Sequence, residues 1–98
     1  MNPSSSETVI SNIALPTIQC GMCVSNIENA LNEIEGINKI RVDLKFLNVK
    51  VKYNTQEISL QEIEQLIIMS GYQANNKEAN INAYNQLAIC CRLPEDRK

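Results

Sequence analysis

Histidine and tryptophan are absent from this chain, and other aromatics are few: three Tyr and one Phe. Without an imidazole, no His-based catalytic pair can be drawn with a serine, a cysteine or a carboxylate. The carboxylates Glu28, Glu33, Glu35, Glu62 and Glu64 read as solvated helix faces rather than acid–base pairs. Glycine is scarce at three residues, and no Gly-rich phosphate-cradling loop is present. A large excess of one charge sign is lacking too: nine basic against eleven acidic side chains give a net charge of −2 and a pI near 5.1. Both signs look scattered, the one short basic cluster being Arg92, Arg97 and Lys98, so no nucleic-acid partner is expected. No apolar run approaches the roughly 20 residues that cross a bilayer. The polar start Met1–Glu7 has neither a basic n-region nor an apolar h-region. The expectation is a cytoplasmic protein without a membrane partner, its thiols kept reduced.

Against these absences stand four cysteines. Two lie close together in Thr17-Ile18-Gln19-Cys20-Gly21-Met22-Cys23, after an apolar β-leaning run and before an amphipathic helical pattern. That context places Cys20 and Cys23 on a strand-to-helix loop, with Cys23 in or near the first turn. Unpaired N–H groups and the positive end of the macrodipole favour a thiolate there. A thiolate is the form that binds a soft metal ion, and a C-x-x-C loop can turn both sulfurs toward one ion.

With 98 residues the chain holds one domain. Residues 1–7 form a polar, Ser-rich arm expected to be mobile, residues 8–76 the domain, and residues 77–98 a C-terminal helix and tail. Thr8–Ile18 reads as a strand, interrupted by Pro16. Val24, Ile27, Ala30, Leu31 and Ile34 mark one face of a helix, with Gly36 as its stop. Ile40, Val42 and Leu44 alternate with Lys39, Arg41 and Asp43, then Val49, Val51 and Tyr53 alternate with Lys50 and Lys52. These are two half-wet strands of a hairpin. Ser59 with Glu62 forms a capping box for a second helix that Gly71 ends, and Tyr72-Gln73-Ala74 starts a last short strand. The order βαββαβ predicts an α+β, ferredoxin-like two-layer sandwich. An additional short C-terminal helix follows over Ala79–Cys91, with an apolar face of Ile81, Tyr84, Leu87, Ala88 and Cys91.

The train Cys20-x-x-Cys23-Val24-x-x-Ile27-Glu28-x-Ala30-Leu31 resembles the heavy-metal-associated domain family of copper chaperones, mercury-binding proteins and N-terminal domains of metal-exporting ATPases. Glu35-Gly36-Ile37, Val42-Asp43-Leu44, Val49-Lys50-Val51 and Ser70-Gly71-Tyr72 extend the resemblance over roughly residues 10 to 76. The family's Gly-Met before the first cysteine is replaced by Thr17-Ile18, and Ile18 can fill the space beneath the loop usually taken by that methionine. The resemblance implies metal ligation by Cys20 and Cys23, and it puts Tyr72 near the loop, where it could shield the ion. A core aromatic is the alternative for Tyr72. Met22 reads as an exposed docking residue or a weak thioether ligand. The implied partners are a domain of a metal-exporting ATPase or a metal-responsive regulator, met by a monomer or a metal-bridged dimer.

Two thiolates without histidine favour a soft ion of low coordination number. Cu(I) and Hg(II) accept near-linear two-sulfur ligation, whereas Zn(II) normally takes four ligands. Cu(I) is the expected ion, with Hg(II), Cd(II) and Zn(II) as alternatives. Cys90 and Cys91 could add a third and fourth sulfur, turning a carrier into a sequestering protein. Adjacent helical residues point about 100° apart, so the competing reading is a packing cysteine beside an exposed one. A thiol–disulfide oxidoreductase acting through Cys20 and Cys23 is a third reading. It lacks the usual βαβ context and facing proline loop.

Overall fold

The structure is a computed structural model and describes residues 8–87 and Leu93. Its elements are β1 (Thr8–Ala14), α1 (Gly21–Leu31), β2 (Ile37–Asp43), β3 (Asn48–Asn54), α2 (Leu60–Ile68) and α3 (Ile81–Asn85). The sheet is antiparallel with order β1-β3-β2, and the helices cover one of its faces. This is the α+β, ferredoxin-like sandwich expected from the periodicities.

Alternation settles the two sheet faces. Val49, Val51 and Tyr53 of β3 and Ile13 of β1 are buried against Ile27 and Leu31 of α1 and Ile63 and Ile67 of α2. Lys50 and Lys52 of β3 point to solvent. The hairpin turns at residues 44–47: the Asp43 carboxylate accepts N–H bonds from Lys45 (2.9 Å) and Phe46 (3.0 Å), and Leu47 closes the turn at φ 54°. The capping box on α2 forms as expected, with Glu62 N–H to Ser59 Oγ at 3.1 Å and Ser59 N–H to Glu62 Oε1 at 3.0 Å.

Several boundaries differ from the sequence reading. β1 stops at Ala14 instead of running to Ile18. Leu15 still donates to Leu47 O at 2.7 Å, but Pro16 has no N–H to continue the ladder. α1 ends at Leu31 rather than Ile34: Asn32 already has an extended backbone (φ −71°, ψ 144°), and Glu33 then turns the chain at φ 64°. Gly36 (φ 96°) therefore shapes the connection into β2 instead of capping the helix. A Cβ there would sit 2.9 Å from both Glu57 Cβ and Ile58 Cγ2.

Tyr72–Ala74 is not a strand of the sheet; Ala74 makes only a local bridge to Lys77. The chain turns at Asn75 (φ 55°), whose backbone N–H reaches Ala14 O at 2.8 Å while its side-chain Oδ1 accepts from Ala14 N–H at 2.9 Å. One side-chain amide thus completes the rung that a fourth strand's carbonyl would have supplied. Asn75 is held in turn by Glu64, which accepts from its Nδ2 and from Lys77 Nζ at 2.7 Å. Glu64 is 6 % exposed, so it does not belong to a solvated face. Its spacing from Leu60 and Ile67 puts it on the core-facing stripe of α2.

α3 extends the domain. Asn80 caps it, accepting from Ala83 N–H at 3.0 Å, and Asn80 N–H bonds Ile68 O at the end of α2 (3.1 Å). Tyr84 and Leu87 pack inward, whereas Ile81 is 65 % exposed, contrary to the expected apolar face. Ile81 opens α3, whereas Leu87 lies past its end at Asn85 and reaches the core from the turn that follows, where its N–H bonds Tyr84 O at 3.1 Å. Ala88 and Cys91 of that expected face, and Cys90, lie outside the described residues.

Candidate metal centre

β1 delivers the chain to one end of the sheet, where Leu15, Pro16 and Thr17 lead into the cysteine loop. Ile18 is 2 % exposed and anchors the loop in the core. Gln73 N–H donates to Thr17 Oγ1 at 3.2 Å and ties the loop to the segment after α2.

Cys20 is the N-cap of α1, with an extended backbone (φ −159°, ψ 179°), and its carbonyl accepts from Cys23 N–H (3.0 Å) and Val24 N–H (3.2 Å). The N-cap side chain makes no capping hydrogen bond and the first turn has no carboxylate, so the helix's own first turn places no anion at its positive end. Neither cysteine is in a disulfide, and the two are not equivalent. Cys23 is fully buried, with its Sγ accepting from Gln19 N–H at 3.4 Å, whereas Cys20 is partly exposed. Gly21 between them has nothing within 4 Å of where a Cβ would stand, and Met22 is 51 % exposed on the loop's outer side.

Tyr72 is completely buried, and its hydroxyl accepts from Asn26 Nδ2 at 2.8 Å. Asn26 lies three residues beyond Cys23 on α1, so this bond pins the turn that follows the second cysteine. The sequence reading singled out Tyr72 and missed Asn26 and Gln19. The sequence around Asn26 carried no signal of this bond, since its partner lies 46 residues away along the chain. Among the described residues no group of three or more Cys, Asp or Glu side chains comes together, so the centre built there is a two-thiol loop. Such a loop suits a soft ion of low coordination number.

A family model described as the heavy-metal-associated domain matches residues 12–73. The copper chaperone CopZ of Enterococcus hirae is 39 % identical over 57 residues, covering 58 % of this chain and 83 % of that protein. A probable copper-exporting P-type ATPase of Archaeoglobus fulgidus is 30 % identical over 64 residues, which are 65 % of this chain but 8 % of the ATPase. The chain thus spans most of the chaperone and a small part of the pump. Among solved structures, the N-terminal domain of a potential copper-translocating P-type ATPase from Bacillus subtilis, in its Cu(I)-loaded state, superposes with a TM-score of 0.66. It is 28 % identical, and the match covers 69 % of this chain and 85 % of that domain.

Proposed function

Because the chain belongs to the heavy-metal-associated domain family, we propose that it carries one soft metal ion, Cu(I), between Cys20 and Cys23 and hands it on by thiolate exchange. The observation that carries this reading is the asymmetry of the pair in burial, Cys23 enclosed by the core and Cys20 partly exposed at the helix start. The naming of relatives as a copper chaperone and a copper-exporting ATPase supports copper over mercury, cadmium or zinc.

In this reading an incoming partner thiolate adds to the ion from the Cys20 side, where Gly21 leaves the approach open. A three-sulfur arrangement results, and the Cys20–metal bond breaks next. Cys23, held by the Gln19 N–H, leaves last. Every exchange forms one metal–sulfur bond and breaks one, with no change of oxidation state, and each released thiolate can take up a proton from water. The role is that of a carrier rather than an enzyme, with a domain of a metal-exporting ATPase, or a metal-responsive regulator, as recipient. Met22 borders the approach and would meet that partner.

Anaerobic titration with Cu(I) against a competing chelator tests this. One ion should bind per chain, and Cys20→Ser or Cys23→Ser should each lower affinity by more than the roughly 10–100-fold lost when only an outer-shell partner is removed. Unchanged affinity in the Cys20→Ser/Cys23→Ser double variant would sink the reading.

A second reading, sequestration by all four thiols, has one observation in its favour. Leu87, whose side chain lies 3.2 Å from a Cβ position on Gly71, and Leu93, whose N–H donates to Tyr84 Oη at 2.8 Å, are both tied to the core on either side of the Cys90-Cys91 pair. The same titration on Cys90→Ser/Cys91→Ser separates the two: unchanged stoichiometry and affinity leave the carrier, and a fall in either favours the sink.

A further inference from the structure

The sheet face turned away from the helices is the strongest charged feature that the metal loop does not use. Lys39 and Arg41 of β2 and Lys50 and Lys52 of β3 all project from it and are exposed. The register sets Lys39 opposite Lys52 and Arg41 opposite Lys50. Of the nine basic residues in the chain, four therefore share one two-by-two grid. The one ion pair among the described residues is Lys77–Glu64, on the other side of the molecule. Asp43 borders the grid, but its carboxylate is engaged by the hairpin's N–H groups. The other described carboxylates, among them Glu28, Glu57 and Glu62, belong to the helix layer and its connections.

Like charges directly opposite on neighbouring strands repel, so the grid is no device for stability. An edge guard would need cations on β2 alone. Here two of the four sit on the central strand.

We propose that this face rests on an anionic lipid surface. Alternate residues on adjacent strands end in one plane, about 5 Å apart across the strands and about 7 Å along them. That plane suits a sheet of headgroups. Ile10 of β1, 67 % exposed and opposite Lys52, adds an apolar contact among the cation stems. The depression these residues line with Ile40 is only about 160 Å³, so the face stays close to flat. Among the described residues no helix is long and apolar enough to cross a membrane, so the contact is peripheral. The cysteine loop leaves from the end of β1, beside the face, so Cys20 stays accessible in the docked protein. The benefit of bringing cargo to a membrane-embedded recipient rests on the carrier reading above; the contact itself does not.

The test is co-sedimentation of the reduced full chain with vesicles of phosphatidylcholine alone and of phosphatidylcholine mixed with phosphatidylglycerol. Binding should require the anionic lipid and weaken as salt rises to about 0.15 M. Each cation near a charged surface contributes about fivefold, so Lys50→Gln/Lys52→Gln should lower partitioning by about 25-fold. Its melting temperature should be unchanged or raised, because repulsion is removed. Equal binding to neutral vesicles, or undiminished binding by the double variant, would overturn the proposal. Binding to polyglutamate or duplex DNA without binding to anionic vesicles would overturn it in favour of those polyanions. The Cu(I) titration run on the same variant reads the carrier function separately.

Discussion

Replacing Glu64 by Gln probes how the domain closes without a fourth strand. The Glu64 side chain is buried, and its carboxylate receives Lys77 Nζ on one oxygen and Asn75 Nδ2 on the other. Burial alone would raise its pKa, but the hydrogen bonds from Lys77 and Asn75 and the Lys77 charge outweigh that and hold it below the ordinary carboxylate value. A glutamine keeps one acceptor oxygen but turns an NH₂ toward either the ammonium or the Asn75 amide, so one donor loses its acceptor and faces another donor. Losing a buried, charge-assisted hydrogen bond costs about 1.5–3 kcal/mol. At about 4–8 °C per kcal/mol for a domain of this size, Tm should fall by roughly 6–24 °C near neutral pH. The pH dependence adds a second readout. A carboxyl with a lowered folded pKa contributes stability above its unfolded pKa of about 4.3 and loses it as pH falls through the folded value. The gap between wild type and Glu64→Gln should therefore be widest near pH 7 and shrink in that acid window. Thermal unfolding of the reduced apo protein, followed by circular dichroism across pH, measures both. A Tm change under about 2 °C at pH 7, or a gap that stays constant into acid, would refute the assigned role of Glu64.

Two other substitutions test the loop and its supports. Tyr72→Phe removes the acceptor for Asn26 Nδ2 without emptying the core, so stability should fall by about 0.5–1.5 kcal/mol in denaturant titrations while Cu(I) stoichiometry is kept. Gly36→Ala should cost at least about 1–3 kcal/mol, because the Cβ meets Glu57 and Ile58 at 2.9 Å and φ is 96°. Gly21→Ala, with open space around it, should change stability by no more than about 0.5 kcal/mol; comparing the two midpoints shows whether the loop or the connection to β2 needs its glycine.

What the sequence determined by itself is what rests on near neighbours. Helix α1 and the β2–β3 hairpin follow from periods of about 3.6 and 2, and the Ser59–Glu62 box from a contact three residues long. The cysteine pair belongs here too, since its spacing and its place before a helix are local. What only the tertiary structure decided involves partners distant along the chain. Glu64 reads as one more helix carboxylate until the fold brings Asn75 and Lys77 against it, eleven and thirteen residues away. Tyr72–Ala74 has a strand's composition, yet Asn75 bends the chain and satisfies Ala14 with a side chain instead. The inequality of Cys20 and Cys23 likewise appears only when the helix packs and closes over one of them. Lys39, Arg41, Lys50 and Lys52 look scattered among charges of both signs. Periodicity assigns each to a wet face, but only strand register sets them directly opposite one another, because pairing between strands is fixed by turn geometry and core packing rather than by any residue's own preference.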